Sequence, residues 1–154
     1  MIEWGENDSR LMPSWLFPNI SEKHHATAIK ANYVKQNFSI CPRYWYLDTT
    51  SRCVECKEAF TFTVREQRKW YEEYFFWVDS YPIRCVECRK SKRMLKEIRK
   101  SYDANILNAL EGDDLELKVS TIKDIDQLYE YRENLPKRIN ENRKRLTRQI
   151  EKTL

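Results

Sequence analysis

The sequence predicts a small α+β protein, in which a domain of short strands around four cysteines is followed by a long helical hairpin. Two observations lead to this prediction. The tetrapeptide Cys-Val-Glu-Cys occurs twice, at 53–56 and at 85–88, with strand-like segments and one capped helix around the two copies. After the second copy, apolar residues recur at helical spacing almost to the end of the chain. The 154 residues include only two glycines, which argues against an all-β protein.

The paired cysteines predict a metal site. Two intervening residues let both sulfurs of a pair turn toward one point, and four thiolates suit a structural, tetrahedral zinc ion. The expected ligands of this single zinc are Cys53, Cys56, Cys85 and Cys88. Disulfides or unligated core cysteines are the alternatives. The N-terminus lacks the basic start and apolar run of a secretory signal, so we expect a cytoplasmic protein with reduced thiols. Cys41 lies outside both pairs and is expected to be a thiol without metal.

Short elements are predicted around the cysteines. Residues 44–48 are rich in aromatics and residues 59–62 alternate, and both patterns are typical of strands. Thr63 and Glu66 match a capping box, so a helix is expected from Val64 to about Glu73. The aromatic run at 74–78 could stack on nucleic-acid bases, but we interpret it as part of the domain core.

Three motifs occur together in residues 44–93: both cysteine pairs, Phe62-Thr63-x-x-Glu66-Gln67-x-x-Trp70-Tyr71, and Arg84-Cys85-x-x-Cys88-Arg89. In this combination they resemble the bacterial "probable zinc-ribbon domain" family. The resemblance implies a zinc ribbon whose ligands are the four paired cysteines, and it implies no particular activity. Many members carry glycine after the second cysteine, where this sequence has Lys57.

The first 43 residues are predicted to form an N-terminal arm with a short helix. Pro13 and Pro18 bracket an apolar Trp-Leu-Phe cluster that is expected to dock on the body of the protein. Ser21 can cap a helix from about Glu22 to Asn32. His24 and His25 would point to different sides of that helix, so a solvated or locally satisfied role is expected for them rather than a joint metal site.

Residues 94–154 are predicted to form the helical hairpin. A first helix should run from Arg89 to Glu111, ahead of Gly112. After a polar connector, Thr121 should start a helix that ends near Glu133, and Pro136 should restart the chain as a helix over 137–153. The narrow apolar stripe of that last helix suits an antiparallel hairpin with residues 89–111 or a homodimer. Its members are Ile139, Leu146 and Ile150.

Charge divides unevenly along the chain. Residues 1–88 carry 11 basic and 12 acidic side chains, whereas residues 89–154 carry 17 and 12. Seven bases fall within 89–100, at a helix N-terminus that disfavours cations. They favour either an anionic partner, which would be nucleic acid or the acidic segment 111–133 of the same chain, or a solvated face.

The sequence favours a non-enzymatic protein-interaction or adaptor module, which binds a protein partner or a second copy through Leu146 and Ile150. A metal-knuckle endonuclease would need a histidine near the cysteines, and none lies between them. The alternative is a nucleic-acid-binding protein that uses Arg89, Lys92 and Arg93 on the helix after the second pair. No apolar run is long enough for a membrane span, so no membrane partner is expected.

Overall fold

A computed structural model describes residues 2–131 and 134–154, and the chain divides into two compact units, Met1–Cys88 and Arg89–Leu154. Within the described residues there are three strands and four α-helices. The strands are β1 (Glu22–Lys30), β2 (Trp45–Arg52) and β3 (Ala59–Phe62). The helices are α1 (Val64–Arg68), α2 (Val86–Glu111), α3 (Leu115–Tyr131) and α4 (Lys137–Thr153). No helix among the described residues is both long enough and apolar enough to cross a membrane.

The strands form one antiparallel sheet with β2 in the centre. β1 pairs with β2 from Glu22 opposite Thr50 to Lys30 opposite Trp45, with an irregularity between His24 and Ile29. β3 pairs with the second half of β2, with Phe62 opposite Thr49. The two strands predicted from aromatic alternation are therefore confirmed.

The helix predicted from Glu22 to Asn32 is wrong, because this segment is β1. Its backbone is paired with β2, and the Thr27 hydroxyl accepts a hydrogen bond from the Asp48 N–H at 2.8 Å. The local sequence permits a helix, and the tertiary pairing overrides that preference. The histidines are locally satisfied as expected: His24 Nε2 lies 2.9 Å from Thr50 Oγ1, and His25 Nδ1 lies 2.9 Å from Ser9 Oγ.

The core of the first unit includes the N-terminal arm. Leu16 is fully buried and Phe17 nearly so, as expected for a docking cluster. Arg43 is buried beside them, with its guanidinium 4.8 Å from the Phe17 ring centre and 5.0 Å from that of Tyr71. The guanidinium donates to the carbonyls of Leu16 and Val78, so this cation links the arm to the rest of the unit.

Helix α1 begins where the capping residues predict. Thr63 Oγ1 accepts from the Glu66 N–H at 3.2 Å, and Asp48 Oδ1 accepts from the Val64 N–H at 2.8 Å. The helical path continues to Glu73 in a π-helical turn, Lys69–Glu73. Gln67 is fully buried.

The aromatic run after this turn is exposed, which corrects the prediction that it belongs to the core. Tyr74, Phe75, Phe76 and Trp77 are 55%, 56%, 44% and 54% exposed, and of the run 74–78 only Val78 is buried. Phe75 has a φ of +54°, and the chain leaves its helical path at this point.

The second unit is a helical hairpin of α2 and α3, against which α4 packs. One apolar core is shared by all three helices, and it contains Tyr102, Ile106, Ala109, Ile125, Leu128, Ile139 and Leu146. α2 ends at Gly112 and α4 begins after Pro136, as predicted. The predicted end near Glu133 lies outside the described residues.

Helix α3 starts seven residues earlier than predicted. Asp114 Oδ1 accepts from the Leu117 N–H at 3.1 Å and so caps the first turn. Thr121, the predicted cap, is buried inside the helix and donates to the Leu117 carbonyl at 2.7 Å. A Thr-x-x-Asp pattern therefore occurs here within a helix rather than at its start.

A buried lysine closes the connection between α2 and α3. Lys118 Nζ donates to the carbonyls of Ala109 and Gly112, each at 2.6 Å, and to Gln149 Oε1 of α4 at 3.0 Å. A cation at a helix C-terminus complements the helix dipole. Lys118 therefore ties the end of α2 to both following helices.

Two acids of the segment 111–133 have partners on other helices. Asp126 pairs with Arg143 of α4 at 2.6 Å, and Asp124 accepts from the Ser101 hydroxyl at 2.6 Å. Arg99, one of the seven bases at the start of α2, pairs with Asp103 in its own helix.

Candidate metal centre

The four paired cysteines come from two different local structures. Cys53 and Cys56 lie in the turn between β2 and β3, and Cys85 and Cys88 lie at the N-terminal end of α2. The two pairs are held together independently of the sulfurs. The Val54 N–H donates to the Ile83 carbonyl at 3.0 Å, and Arg84 Nε lies 2.9 Å from Glu55 Oε1.

The sulfur geometry fits zinc. All four Sγ atoms lie within 4.8 Å of one another, and those of Cys56 and Cys85 are 3.8 Å apart. Tetrahedral zinc with Zn–S bonds of about 2.3 Å places its sulfurs roughly 3.8 Å apart. In the described part of the chain, these four cysteines are the one group of three or more potential metal ligands that lie close enough together to hold an ion. They form a site for one structural zinc ion.

The first turn has the backbone geometry of a metal knuckle. The Lys57 N–H donates to the Cys53 carbonyl at 3.0 Å, and the Cys53 N–H donates to the Glu58 carbonyl at 2.9 Å. Lys57 has a φ of +65°, in the left-handed region that glycine adopts most readily. Its ammonium donates to the Val54 carbonyl at 2.7 Å.

The thiols do not ionise independently. Burial would raise the pKa of Cys53, but backbone N–H groups of Cys85, Cys56 and Glu55 donate to its sulfur and lower that pKa to about 6. Hydrogen bonding to the Cys85 sulfur raises the pKa of Cys88 to about 12, and burial adds to the effect. Four anionic sulfurs at this separation repel one another, so full ionisation requires a bound cation. A zinc dication meets that requirement.

These elements define a zinc-binding domain of the treble-clef type, with one ligand pair in a β-turn and the other at the start of a helix. Residues 47–97 match the family model described as a probable treble clef domain. The sequence resemblance and the prediction of a small zinc domain with four cysteine ligands, followed by a helical hairpin, are thereby confirmed. Searches of curated proteins and of solved structures found no match.

The residues predicted to bind a partner all belong to the second unit. Leu146 is 0% exposed in the core of the helical unit, which corrects its assignment as a contact surface, and Ile150 is half-buried. Lys92 and Arg93 are exposed on α2, and Arg89 is half-buried. Sequence reasoning assigned two exposed surfaces differently: the aromatic run at 74–77 was placed in the core, and the bases of α4 were given no binding role in the favoured interpretation. The helical spacing of bases opposite Ile139 and Leu146 could have revealed the second.

Proposed function

We propose that this chain is a non-enzymatic nucleic-acid-binding protein, in which zinc stabilises the first unit and the outer face of α4 contacts phosphates. The observation that carries the proposal is the basic face of α4, which consists of Lys137, Arg138, Lys144, Arg145, Arg148 and Lys152. All six side chains are exposed. Among the residues that the structure describes, none of the six forms an ion pair.

The helical spacing puts these bases on one side of α4. At 100° per residue they cover an arc of roughly 120°, opposite the buried Ile139 and Leu146. One acid, Glu141, lies within that arc. From Lys137 to Lys152 the face extends about 22 Å. Duplex DNA carries one negative charge per about 1.7 Å of its axis, so a face of this length can meet several phosphates.

Burial of the apolar stripe supports nucleic acid rather than protein as the partner of α4. The stripe that the sequence offered to a partner contributes Ile139 and Leu146 to the chain's own core. A partner that binds the exposed face of α4 therefore contacts cations, and cations attract phosphate groups. Net charge alone would be weak support, but exposed cations on one helical face are a footprint typical of nucleic-acid binding.

The metal centre supports the non-enzymatic part of the proposal. A site with four cysteine ligands is closed, whereas catalytic zinc keeps one position for water or substrate. The two histidines, which could serve as a general base, are hydrogen-bonded to Thr50 and Ser9 on the sheet side of the first unit.

The test is a charge reversal on α4 with a matched reversal elsewhere. Arg145→Glu with Arg148→Glu should weaken binding of a random-sequence oligonucleotide at least tenfold. The slope of log affinity against log salt should become shallower by about 2 for a duplex, because two phosphate contacts are lost. Arg65→Glu with Arg68→Glu changes the net charge equally on the exposed surface of α1 and should have a much smaller effect. Equal losses in both variants, or no binding by the parent at low salt, would contradict the proposal.

A second candidate, the protein-interaction module favoured by the sequence, is supported by a groove in the helical unit. The groove has a volume of about 530 Å³ and is lined by Lys90, Arg93, Met94, Glu97, Ile98 and Gln127. Met94 is half exposed there, and methionine adapts to varied apolar partners. In this case Met94→Glu should abolish capture of a protein partner, whereas the α4 reversal should leave capture intact.

A further inference from the structure

We propose that two copies of this chain associate through the exposed aromatic surface of the zinc-binding unit. This inference is independent of nucleic-acid binding. The surface, called the aromatic patch below, consists of Tyr74, Phe75, Phe76 and Trp77, together with Tyr33, Val34 and Phe38 on the neighbouring segment. Every member is at least 41% exposed, and Val34 reaches 81%.

The two segments of the patch are joined by hydrogen bonds. The Asn32 N–H donates to Glu72 Oε1, and Asn37 Nδ2 donates to the Phe75 carbonyl, both at 2.9 Å. The Val78 N–H donates to the Asn37 carbonyl at 3.0 Å, next to a parallel bridge between Asn37 and Trp77. The aromatic side chains therefore project from a fixed backbone, which lowers the entropy lost on binding.

The rings within the patch also support one another. The Phe76 ring is 5.1 Å from the half-buried Trp70 ring in an edge-to-face arrangement, and it is 5.8 Å from the Tyr74 ring. Trp70 in turn contacts the buried Phe62 ring at 5.1 Å. The exposed aromatics thus rest on the core of the unit and form a shaped apolar surface.

The size of the patch matches a subunit interface. Aromatic side chains present roughly 150–250 Å² each, so the six aromatic members, about half exposed, leave roughly 600 Å² open. Val34, which is 81% exposed, adds to this area. The largest apolar patch on a typical monomer is about 300–600 Å². A standard interface buries about 800 Å² per partner. The patch therefore exceeds what a monomer usually exposes and approaches what one subunit of a dimer contributes.

Charge around the patch favours a second copy over nucleic acid. Three bases and three acids lie within residues 33–38 and 68–79, which hold the patch and the helical turns that lead into it: Lys35, Arg68, Lys69, Glu72, Glu73 and Asp79. A balanced rim gives no net attraction for phosphates. A two-fold axis through the patch repeats the same surface on both subunits, so bases of one copy can face acids of the other.

Sedimentation of the full, zinc-loaded chain over roughly 1–100 μM tests the proposal, because self-association depends on concentration. The parent should reach twice the chain mass of 18.8 kDa. Phe75→Asn with Trp77→Ser should raise the dimer dissociation constant at least tenfold. Asparagine tolerates the left-handed backbone of Phe75, so the single Phe75→Asn variant should fold and should also weaken the dimer.

The matched control removes two exposed apolar side chains from the helical unit. Leu107→Ser with Val119→Ser changes residues that are 66% and 56% exposed, and the variant should dimerise like the parent. Zinc content and tryptophan fluorescence confirm that each variant is folded. A parent that stays monomeric at 100 μM, or a patch variant that still dimerises like the parent, overturns the proposal. The proposal is also overturned if the patch variants lose oligonucleotide binding while their sedimentation mass equals that of the parent, because the patch would then serve base stacking.

Discussion

Lys57 closes the turn of the first cysteine pair with a left-handed backbone, at a position where a side chain costs stability. Non-glycine residues lose roughly 1–2 kcal/mol in this conformation. Part of that cost is offset by the hydrogen bond from the Lys57 ammonium to the Val54 carbonyl. Lys57 therefore contributes both an unfavourable backbone conformation and a favourable hydrogen bond to the stability of the turn.

Two substitutions at position 57 separate these contributions. Lys57→Ala loses the ammonium contact and keeps the strain, whereas Lys57→Gly loses both. We expect the glycine variant to unfold with a free energy about 1 kcal/mol higher than the alanine variant, at equal zinc content. Urea unfolding followed by tryptophan fluorescence measures the difference. Equal stabilities would mean that the turn relaxes around a side chain without strain.

Buried tyrosines make the stability of the first unit fall at alkaline pH. Burial raises the pKa values of Tyr46 and Tyr71 above those of exposed tyrosines, and the nearby Glu72 carboxylate adds to the rise at Tyr46. In the unfolded chain these phenols ionise near pH 10. Unfolding above pH 10 therefore releases protons, so this contribution to stability is complete below pH 10 and is lost as the pH rises further.

We accordingly expect the free energy of unfolding to fall between about pH 10 and pH 11.5. Tyr46→Phe should be less stable than the parent at pH 8, because the phenol oxygen accepts from Gln36 Nε2 at 2.7 Å. Its stability should decline less steeply above pH 10. Tyr131→Phe alters an exposed tyrosine and should follow the parent. Parallel curves for Tyr46→Phe and the parent would show that another group controls the alkaline transition.

At the scale of elements, α1 links the sheet to the segment that leads to the second cysteine pair. Its N-terminus is held by two acceptors from different elements, Thr63 and Asp48. Thr63→Ala should lower the free energy of unfolding by about 1 kcal/mol. Thr63→Ser keeps an oxygen at the same place and should lose much less. All five tryptophans lie in the first unit, so their fluorescence reports this change. Equal effects of both substitutions would show that the cap does not stabilise the helix.

The elements also show where local sequence is sufficient. β2, β3, α1 and α4 follow from alternation, a capping box and a proline, all of which act within a few residues. β1 could not be predicted in this way, because its conformation depends on pairing with β2, a separate segment further along the chain. The aromatic run was misplaced for a related reason. Hydrophobicity indicates that a residue favours burial, but it does not show that the chain leaves its helical path here, with a positive φ at Phe75, and that the run stays exposed.

At the scale of the whole molecule, the two units have separate cores, and we expect only one of them to depend on zinc. Both cysteine pairs lie within Met1–Cys88, whereas the helical core draws on residues 102–146. A strong chelator should therefore shift the tryptophan emission of the first unit toward that of unfolded protein. Helical circular dichroism at 222 nm should largely persist, because the helices of the second unit need no metal. Loss of both signals together would contradict independent units.

The metal centre itself could be predicted almost completely from sequence. Cysteine spacing identifies the four residues that the structure brings together, since a two-residue gap constrains both sulfurs locally. Spacing could not show that the second pair lies at a helix N-terminus. It also could not show which apolar stripe is used within the chain, so Leu146 was assigned to a partner although it completes the chain's own core.

The pairing of β1 with β2 affects how the zinc domain can be excised. The family match begins at residue 47, inside β2, and therefore leaves out β1 and Arg43. A fragment limited to residues 47–97 would retain all four zinc ligands. It would, however, expose one edge of β2 and the apolar surface that the N-terminal arm covers. We expect such a fragment to aggregate even when loaded with zinc, and a fragment that begins before Met12 to remain in solution. The segment that must be excised to obtain a stable zinc domain is therefore longer than the segment that matches the family.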